Sequence, residues 1–182
     1  MANVLVPLAQ GCEELEAVTV VDLLRRAGIE VVTAGLDEQP VRASRGLVLL
    51  PDMTLDRALL QEYDMIVLPG GLPGADNLGN DARIIERLQS MSAAGKYTAA
   101  ICAAPRVLAR AGLLDGKRAT CYPGALEINT VPGIDYRAPV IMDGTVITSR
   151  GPGTAMDFAL SLIELLSGKQ QRDEVEAGLQ RG

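Results

Sequence analysis

The sequence predicts an α/β protein in which a mostly parallel sheet is covered by helices, and three observations lead there. Nearly half of the 182 residues are apolar, yet there is one Phe and no Trp. The core must therefore be built from Val, Leu, Ile and Ala, the side chains that suit strands buried on both faces. Many glycines fall between short aliphatic runs, where turns are needed. The N-terminal region alternates an apolar run, an amphipathic stretch and a second apolar run, the pattern of a β-α-β crossover, which is almost always right-handed. The length suits one domain over residues 1–182, and no repeat, linker or low-complexity segment divides it.

Asn3–Leu8 reads as a short buried strand, Glu13–Ala27 as a helix and Glu30–Ala34 as a second strand. The helix places Leu15, Val18, Leu23 and Leu24 at apolar spacing. Arg25 and Arg26 fall in its last turn, where cations complement the dipole, and Gly28 stops it. Val41–Arg42 and Gly46–Leu50 form a small hairpin, and a short helical piece, Leu55–Leu60, follows Pro51. Met65–Leu68 is a central strand that runs into Pro69-Gly70-Gly71. Asp81–Ala94 is an amphipathic helix closed by Gly95. Thr98–Ile101 is a strand and Pro105–Ala111 a helix, its proline in the first turn where a missing N–H costs nothing. Arg118–Cys121 is a strand, and Tyr122–Pro139 is mostly irregular. Val140–Met142 and Thr145–Ser149 pair around Asp143-Gly144, a strong turn signal. Thr154–Leu166 is a long apolar helix ended by Gly168, and Glu174–Leu179 adds a last turn.

The formal charge of −6 disfavours sequence-independent binding to phosphate backbones, so no specific nucleic acid is indicated. No run of 18 or more apolar residues is present, and Met1–Pro7 is strand-like rather than an export signal, so a chain without a membrane span is expected. Cys12, Cys102 and Cys121 are an odd, scattered set with no CxxC pair, which points to a reducing, cytoplasmic setting rather than a disulfide framework or zinc knuckle. The sequence contains no histidine. That removes Ser–His, Cys–His and His-ligated metal mechanisms together. No metal and no cofactor is expected.

Tyr97-Thr98-Ala99-Ala100-Ile101-Cys102-Ala103-Ala104-Pro105 is the most informative stretch. A strand runs into a helix with almost no loop, and a thiol stands at the junction. A sharp strand-nucleophile-helix turn needs small residues two before and two after the nucleophile, and Ala100 and Ala104 supply them. The start of the following helix is expected to lower the Cys102 pKa below its free value of about 8.5 and to hold a thiolate. Cys12 and Cys121 have no such surroundings and read as structural.

Functional groups in a doubly wound sheet collect at the carboxyl ends of its strands. Glu13 and Glu14 there read as ordinary first-turn acids. Glu16 lies further into the helix and could point across the strand ends toward Cys102, where a neighbouring thiolate would push it toward its protonated form. The sequence leaves that pairing open. Gly70 and Gly71 let the backbone approach a ligand and present N–H groups as an oxyanion site. The glycine pattern matches neither GxGxxG nor a P-loop, so nucleotide binding is discounted. Thr154 is a candidate N-cap. Arg150 either holds an anionic group or is a surface turn residue.

Together these residues resemble the ThiJ/PfpI superfamily, in its branch of the parkinsonism-associated deglycase and bacterial stress-protein relatives. The matching pieces are Gly11-Cys12-Glu13-Glu14-Leu15-Glu16, Arg25-Arg26-Ala27-Gly28, Ser44-Arg45, Val67-Leu68-Pro69-Gly70-Gly71, Ala99 to Pro105, and Thr148-Ser149-Arg150-Gly151-Pro152-Gly153-Thr154. The resemblance implies a flavodoxin-like three-layer α/β/α sandwich that forms a homodimer. It implies an easily oxidised cysteine at the elbow and a protonated glutamate beside it, roles that fall on Cys102 and Glu16. It places a backbone oxyanion site on Gly70, Gly71 and Ala103, and anion-binding or interface roles on Arg26 and Arg45. The implied substrates are small reactive carbonyls such as methylglyoxal or early glycated adducts.

Two departures narrow this. Many relatives carry a histidine in the stretch matched by Thr120-Cys121-Tyr122-Pro123, a place held here by Tyr122. Protease-like relatives have histidine directly after the cysteine, where this chain has Ala103, and glutamine amidotransferases need a Cys–His pair. The expectations are, in order, a cysteine-dependent glyoxalase or deglycase, a redox sensor whose Cys102 becomes a sulfinate, and a chaperone-like interaction dimer.

Overall fold

The computed structural model describes residues 2–127 and 131–181. The strands are β1 (Asn3–Leu8), β2 (Glu30–Gly35), β3 (Val41–Arg42), β4 (Val48–Leu49), β5 (Met53–Thr54), β6 (Met65–Leu68), β7 (Tyr97–Ile101), β8 (Arg118–Ala119), β9 (Gly133–Ile134), β10 (Val140–Asp143) and β11 (Val146–Ser149). The helices are α1 (Glu14–Arg26), α2 (Leu55–Ala58), α3 (Leu72–Asn80), α4 (Ala82–Ala93), α5 (Pro105–Arg110), α6 (Ala155–Ser167) and α7 (Lys169–Gly178), with a 3-10 turn over Pro152–Thr154.

Seven strands form one sheet in the order β10-β11-β7-β6-β1-β2-β5, parallel except for the antiparallel edge strand β10. The two-residue alternation of each strand sorts its side chains between two cores. Val4, Val6 and Leu8 of β1, with Val67 of β6 and Ile101 of β7, pack toward α1, α6 and α7. Leu5 of β1, with Ile66, Leu68 and Ala100, packs toward α2, α3, α4 and α5. Phe158, the one phenylalanine, is fully buried in the first of these layers. The result is the three-layer α/β/α sandwich that the family resemblance implied, with the helix-covered parallel sheet that the aliphatic composition suited.

The structure differs from the sequence reading at four places. The largest is α3, absent from the reading because Pro73, Gly74, Asn77, Gly79 and Asn80 are poor helix formers. Ala75 and Leu78 are fully buried and hold it by tertiary packing. The strand β5 joins the sheet edge just ahead of α2, which ends sooner than expected, at Ala58. Of the stretch read as irregular, Gly133–Ile134 pairs in parallel with β8, and that strand is shorter than expected; residues 128–130 lie outside the described residues. Helix α7 starts directly after Gly168, five residues before the expected Glu174. Its first turns carry no apolar periodicity, and Lys169–Asp173 and Arg172–Glu176 ion pairs support it instead.

Candidate active site

Three neighbouring strands, β6, β1 and β7, bring three turns to one point at their carboxyl ends. The turn after β1 leads through Glu13 into α1 and sets Glu16 in its first turn. The turn after β6 is Gly70-Gly71, and the two turns are stitched by the Glu13 N–H donating to Gly70 O at 2.9 Å. Only glycine fits here. Gly71 takes φ +86°, and a Cβ on it would stand 2.7 Å from Glu13 N. A Cβ on Gly70 would stand 2.7 Å from Cys102 Cβ and 2.8 Å from Glu16 Oε2, so the glycine marks the place where the thiol and carboxyl converge.

Cys102 follows β7 at φ +63°, in the left-handed region that non-glycine residues rarely adopt. Such a conformation costs on the order of 1–3 kcal/mol and persists only where its surroundings impose it. They do so through three bonds. The Cys102 N–H donates to Ser149 O at 2.9 Å, the Tyr122 N–H to Cys102 O at 2.8 Å, and the Ala104 N–H to Ile101 O at 3.0 Å. Ala100 and Ala104 are completely buried on either side.

Glu16 is fully buried. Its Oε2 accepts the Gly70 N–H at 2.8 Å, and the Cys102 thiol donates to the carboxylate. Its Oε1 has no hydrogen-bond partner among the described residues. Burial pushes the Glu16 carboxyl up to about 7, against the opposing pull of the Gly70 N–H and the thiol. Cys102 is pushed up to about 12, first by burial, then by the Glu16 charge and the bond to Glu16, while the N–H groups of Gly71 and Ala103 oppose the rise.

This corrects the expectation of a thiolate held by a helix start. Helix α5 has six residues and begins at Pro105, which has no N–H to offer. Other amides of the turn are engaged, the Ala104 N–H with Ile101 O and the Arg106 N–H with Ala103 O. The pull of the helix start is outweighed by the hydrocarbon that tertiary packing sets around the sulfur. The rise at Glu16 likewise comes first from burial rather than from a neighbouring thiolate.

Cys102, 8% exposed, sits at a cavity of about 590 Å³ that Gly71, Ala103 and Arg45 also line. Gly70 is one step removed, its N–H committed to Glu16. Arg26 pairs with Asp22 at 2.7 Å, about 15 Å along α1 from Glu16 at 1.5 Å per residue. Arg150 donates to Arg137 O at 2.9 Å and does not line the cavity. Thr154 stands at the N-cap position of α6 but makes no cap bond to the helix.

Sequence reasoning missed Glu13, Ser44 and Leu72 as cavity residues, whereas Tyr122, which also lines the cavity, stands at the place of the relatives' histidine. Glu13 was legible as lying at a strand's carboxyl end, while Leu72 needed α3 to be seen first. The Ser44 hydroxyl lies 2.7 Å from Glu13 Oε2 and 3.0 Å from Glu14 Oε2, and the Arg45 N–H donates to Glu14 Oε1 at 2.9 Å. The first-turn acids thus pin the β3–β4 hairpin to α1. Cys12 and Cys121 are both fully buried. Among the described residues no group of three or more His, Cys, Asp or Glu is placed to hold a metal ion, and no helix is long and apolar enough to cross a membrane.

Comparison with known proteins agrees with this architecture. The crystal structure of Drosophila melanogaster DJ-1beta superposes with a TM-score of 0.94 at 42% identity, covering 100% of this chain and 98% of that one. The structure described as Toxoplasma gondii DJ-1, oxidized, superposes with a TM-score of 0.92 at 39% identity, covering 98% of each chain. A Caenorhabditis elegans relative named glutathione-independent glyoxalase DJR-1.2 is 35% identical over 175 residues, 96% of this chain and 92% of that protein. The pattern of the DJ-1/PfpI family matches residues 2–165, and with the elbow cysteine set against a buried glutamate at the sheet's carboxyl edge, the chain belongs to that family.

Proposed function

We propose that this protein protects against reactive carbonyls by converting methylglyoxal, or early glycation adducts, with Cys102 as nucleophile and Glu16 as proton shuttle. One observation carries the reading: a thiol at a strained turn beside a cavity is paired with a buried carboxyl whose pKa lies near 7. A general base works best when its pKa is close to the working pH. The chain has no histidine to take that part. The name of the Caenorhabditis elegans relative supports the same direction.

The chemistry follows from the pair. Ionised Glu16 takes the thiol proton as Cys102 sulfur bonds to the aldehyde carbon, and the aldehyde oxygen receives that proton to give a hemithioacetal. The N–H groups of Gly71 and Ala103, which face the sulfur, stabilise the charge that develops on oxygen. Glu16 then removes the hydrogen from the former aldehyde carbon and returns a proton to the adjacent carbon, while the hydroxyl proton of the hemithioacetal passes to the former ketone oxygen, which leaves a thioester. Water cleaves the thioester, releasing the hydroxy acid and restoring the thiol. The sum is the oxoaldehyde plus one water.

Purified protein should convert methylglyoxal to lactate, and Cys102→Ser should lower the rate at least about a thousandfold. Equal turnover by the variant rejects the reading.

A second reading is favoured by the relative described as oxidized. Here Cys102 takes two oxygens from two peroxide equivalents, each leaving as water, and the sulfinate serves as a stress signal. Intact mass after mild peroxide separates the two, since a gain of two oxygens on Cys102 ahead of Cys12 and Cys121 is required. We also propose a cytoplasmic homodimer. The exposed apolar residues Leu15 and Val18 of α1 and Leu47, Val48 and Leu50 around β4 support this, and sedimentation equilibrium at twice the chain mass is its test.

A further inference from the structure

We infer that the cavity beside Cys102 selects oxoaldehydes bearing a flat apolar substituent, arylglyoxals above methylglyoxal, and that Tyr122 sets this preference. The inference rests on the glyoxalase reading above and names its substrate class.

The lining of the cavity is mixed: Glu13, Ser44 and Arg45 are polar, whereas Leu72, Pro73, Tyr122, Pro123, Ala125 and Pro152 are largely apolar. Leu72 and Tyr122 are 61% and 53% exposed. Large apolar side chains left in water beside a reactive group are the part of a cavity that a ligand covers.

The position of the Tyr122 ring is set by its surroundings. Its edge lies against Gly151, where a Cβ would come within 3.3 Å of Tyr122 Cδ2. Its own N–H donates to Cys102 O at 2.8 Å, which ties the aromatic wall to the nucleophile. The loop beyond is held by Arg106, which donates to Ala125 O at 3.3 Å, and by the Tyr136 hydroxyl, which donates to Leu126 O at 2.5 Å. Prolines 73, 123 and 152 stiffen the wall further, so little ordering remains to be done when a ligand arrives.

An α-oxoaldehyde bound covalently at Cys102 directs its ketone substituent out along this wall. A methyl group reaches little of it and leaves Tyr122 and Leu72 wet. A phenyl ring covers both, in the offset or edge-to-face contact that aromatic pairs prefer. In apolar enzyme pockets one methylene changes selectivity by roughly ten- to two-hundredfold, and a half-open wall should give the low end of that range.

The experiment compares kcat/KM for phenylglyoxal, converted to mandelate, with that for methylglyoxal, converted to lactate. Wild type should favour phenylglyoxal about tenfold, mainly through KM. Tyr122→Ala should bring the ratio close to one, and Tyr122→Phe should keep it, because the ring and not the phenol oxygen makes the contact. A wild-type ratio at or below one, or a ratio unmoved by Tyr122→Ala, overturns the inference. A second measurement uses no turnover: mandelate and lactate are compared as protectors of Cys102 from alkylation by iodoacetamide, read by intact mass. If neither aldehyde is turned over, the glyoxalase reading falls by itself. Protection by mandelate at about tenfold lower concentration, lost in Tyr122→Ala, still supports an aryl-selective wall. Equal protection by the two acids overturns it.

Discussion

Two neighbouring strands, β7 and β11, are paired in parallel with Ile101 opposite Ser149, and each runs directly into a helical turn. Their junctions are built in opposite ways. After β11 the polar groups close on one another. The Ser149 hydroxyl lies 2.9 Å from Pro139 O and 2.7 Å from Thr154 Oγ1, which accepts the Gly151 N–H at 3.1 Å and lies 2.9 Å from Gly151 O, so that two hydroxyl protons are shared among three contacts. After β7 the turn is strained at Cys102, and the carboxyl beside it keeps one buried oxygen without a partner among the described residues. Hydrogen bonding satisfied within a junction makes a fixed support. A junction left short of partners retains a group with a displaced pKa, and chemistry can occur there.

The largest effect is expected for Glu16→Gln, which keeps the size of the side chain and the acceptor for the Gly70 N–H but removes the base. Turnover should fall by about 10²–10⁴-fold. In wild type kcat/KM should rise with pH through about 7 as Glu16 ionises, a limb that the variant should lack. Stability should move the other way. Native Glu16 keeps its proton up to about 7, whereas the unfolded chain releases it near the ordinary glutamate value of 4.5. Between those values the native state binds more protons, so wild-type stability falls as pH rises. Urea unfolding at pH 8 should therefore show the variant more stable, by something on the order of 3 kcal/mol, and the gain should vanish near pH 4.

Gly70→Ala tests the geometry of the pair. Its Cβ would stand too close to both Cys102 and Glu16, which should cost about 1–3 kcal/mol in thermal or urea unfolding. Turnover should drop about a hundredfold, because small displacements of reacting groups have effects of that size. On the other strand, Thr154→Val removes the bonds to Ser149 and Gly151. It should cost about 1–3 kcal/mol in stability while the pH–rate profile keeps its limb near 7. A shifted limb would mean that the two junctions are not independent. The smallest effect is expected for Arg26→Ala, which loses an exposed pair with Asp22. It should cost less than about 1 kcal/mol and leave kcat/KM unchanged.

Much of the fold could be read from the chain because its signals are local. The β1-α1-β2 unit, the Asp143-Gly144 hairpin and the run from Thr98 to Pro105 each declare themselves through periodicity, turn residues or small neighbours. Helix α3 could not be read, since its own residues argue against a helix and only the burial of Ala75 and Leu78 overrides them. The site divided along the same line. Cys102 was visible as a residue at a sharp junction, whereas Arg26 and Arg150 are basic residues whose distance from the cavity depends on how α1 and the β11 turn are placed.

A helix-covered aliphatic sheet, a sharp elbow at Cys102 and chemistry without histidine are written in the chain itself, because alternation, turn residues and small side chains act within a few positions of one another. The tertiary structure alone decided that Glu16 is sealed against Cys102, that the thiol is held up near 12 instead of ionised, and that Tyr122 forms a cavity wall. Those depend on solvent exclusion, and how much water reaches a group is a property of everything packed around it.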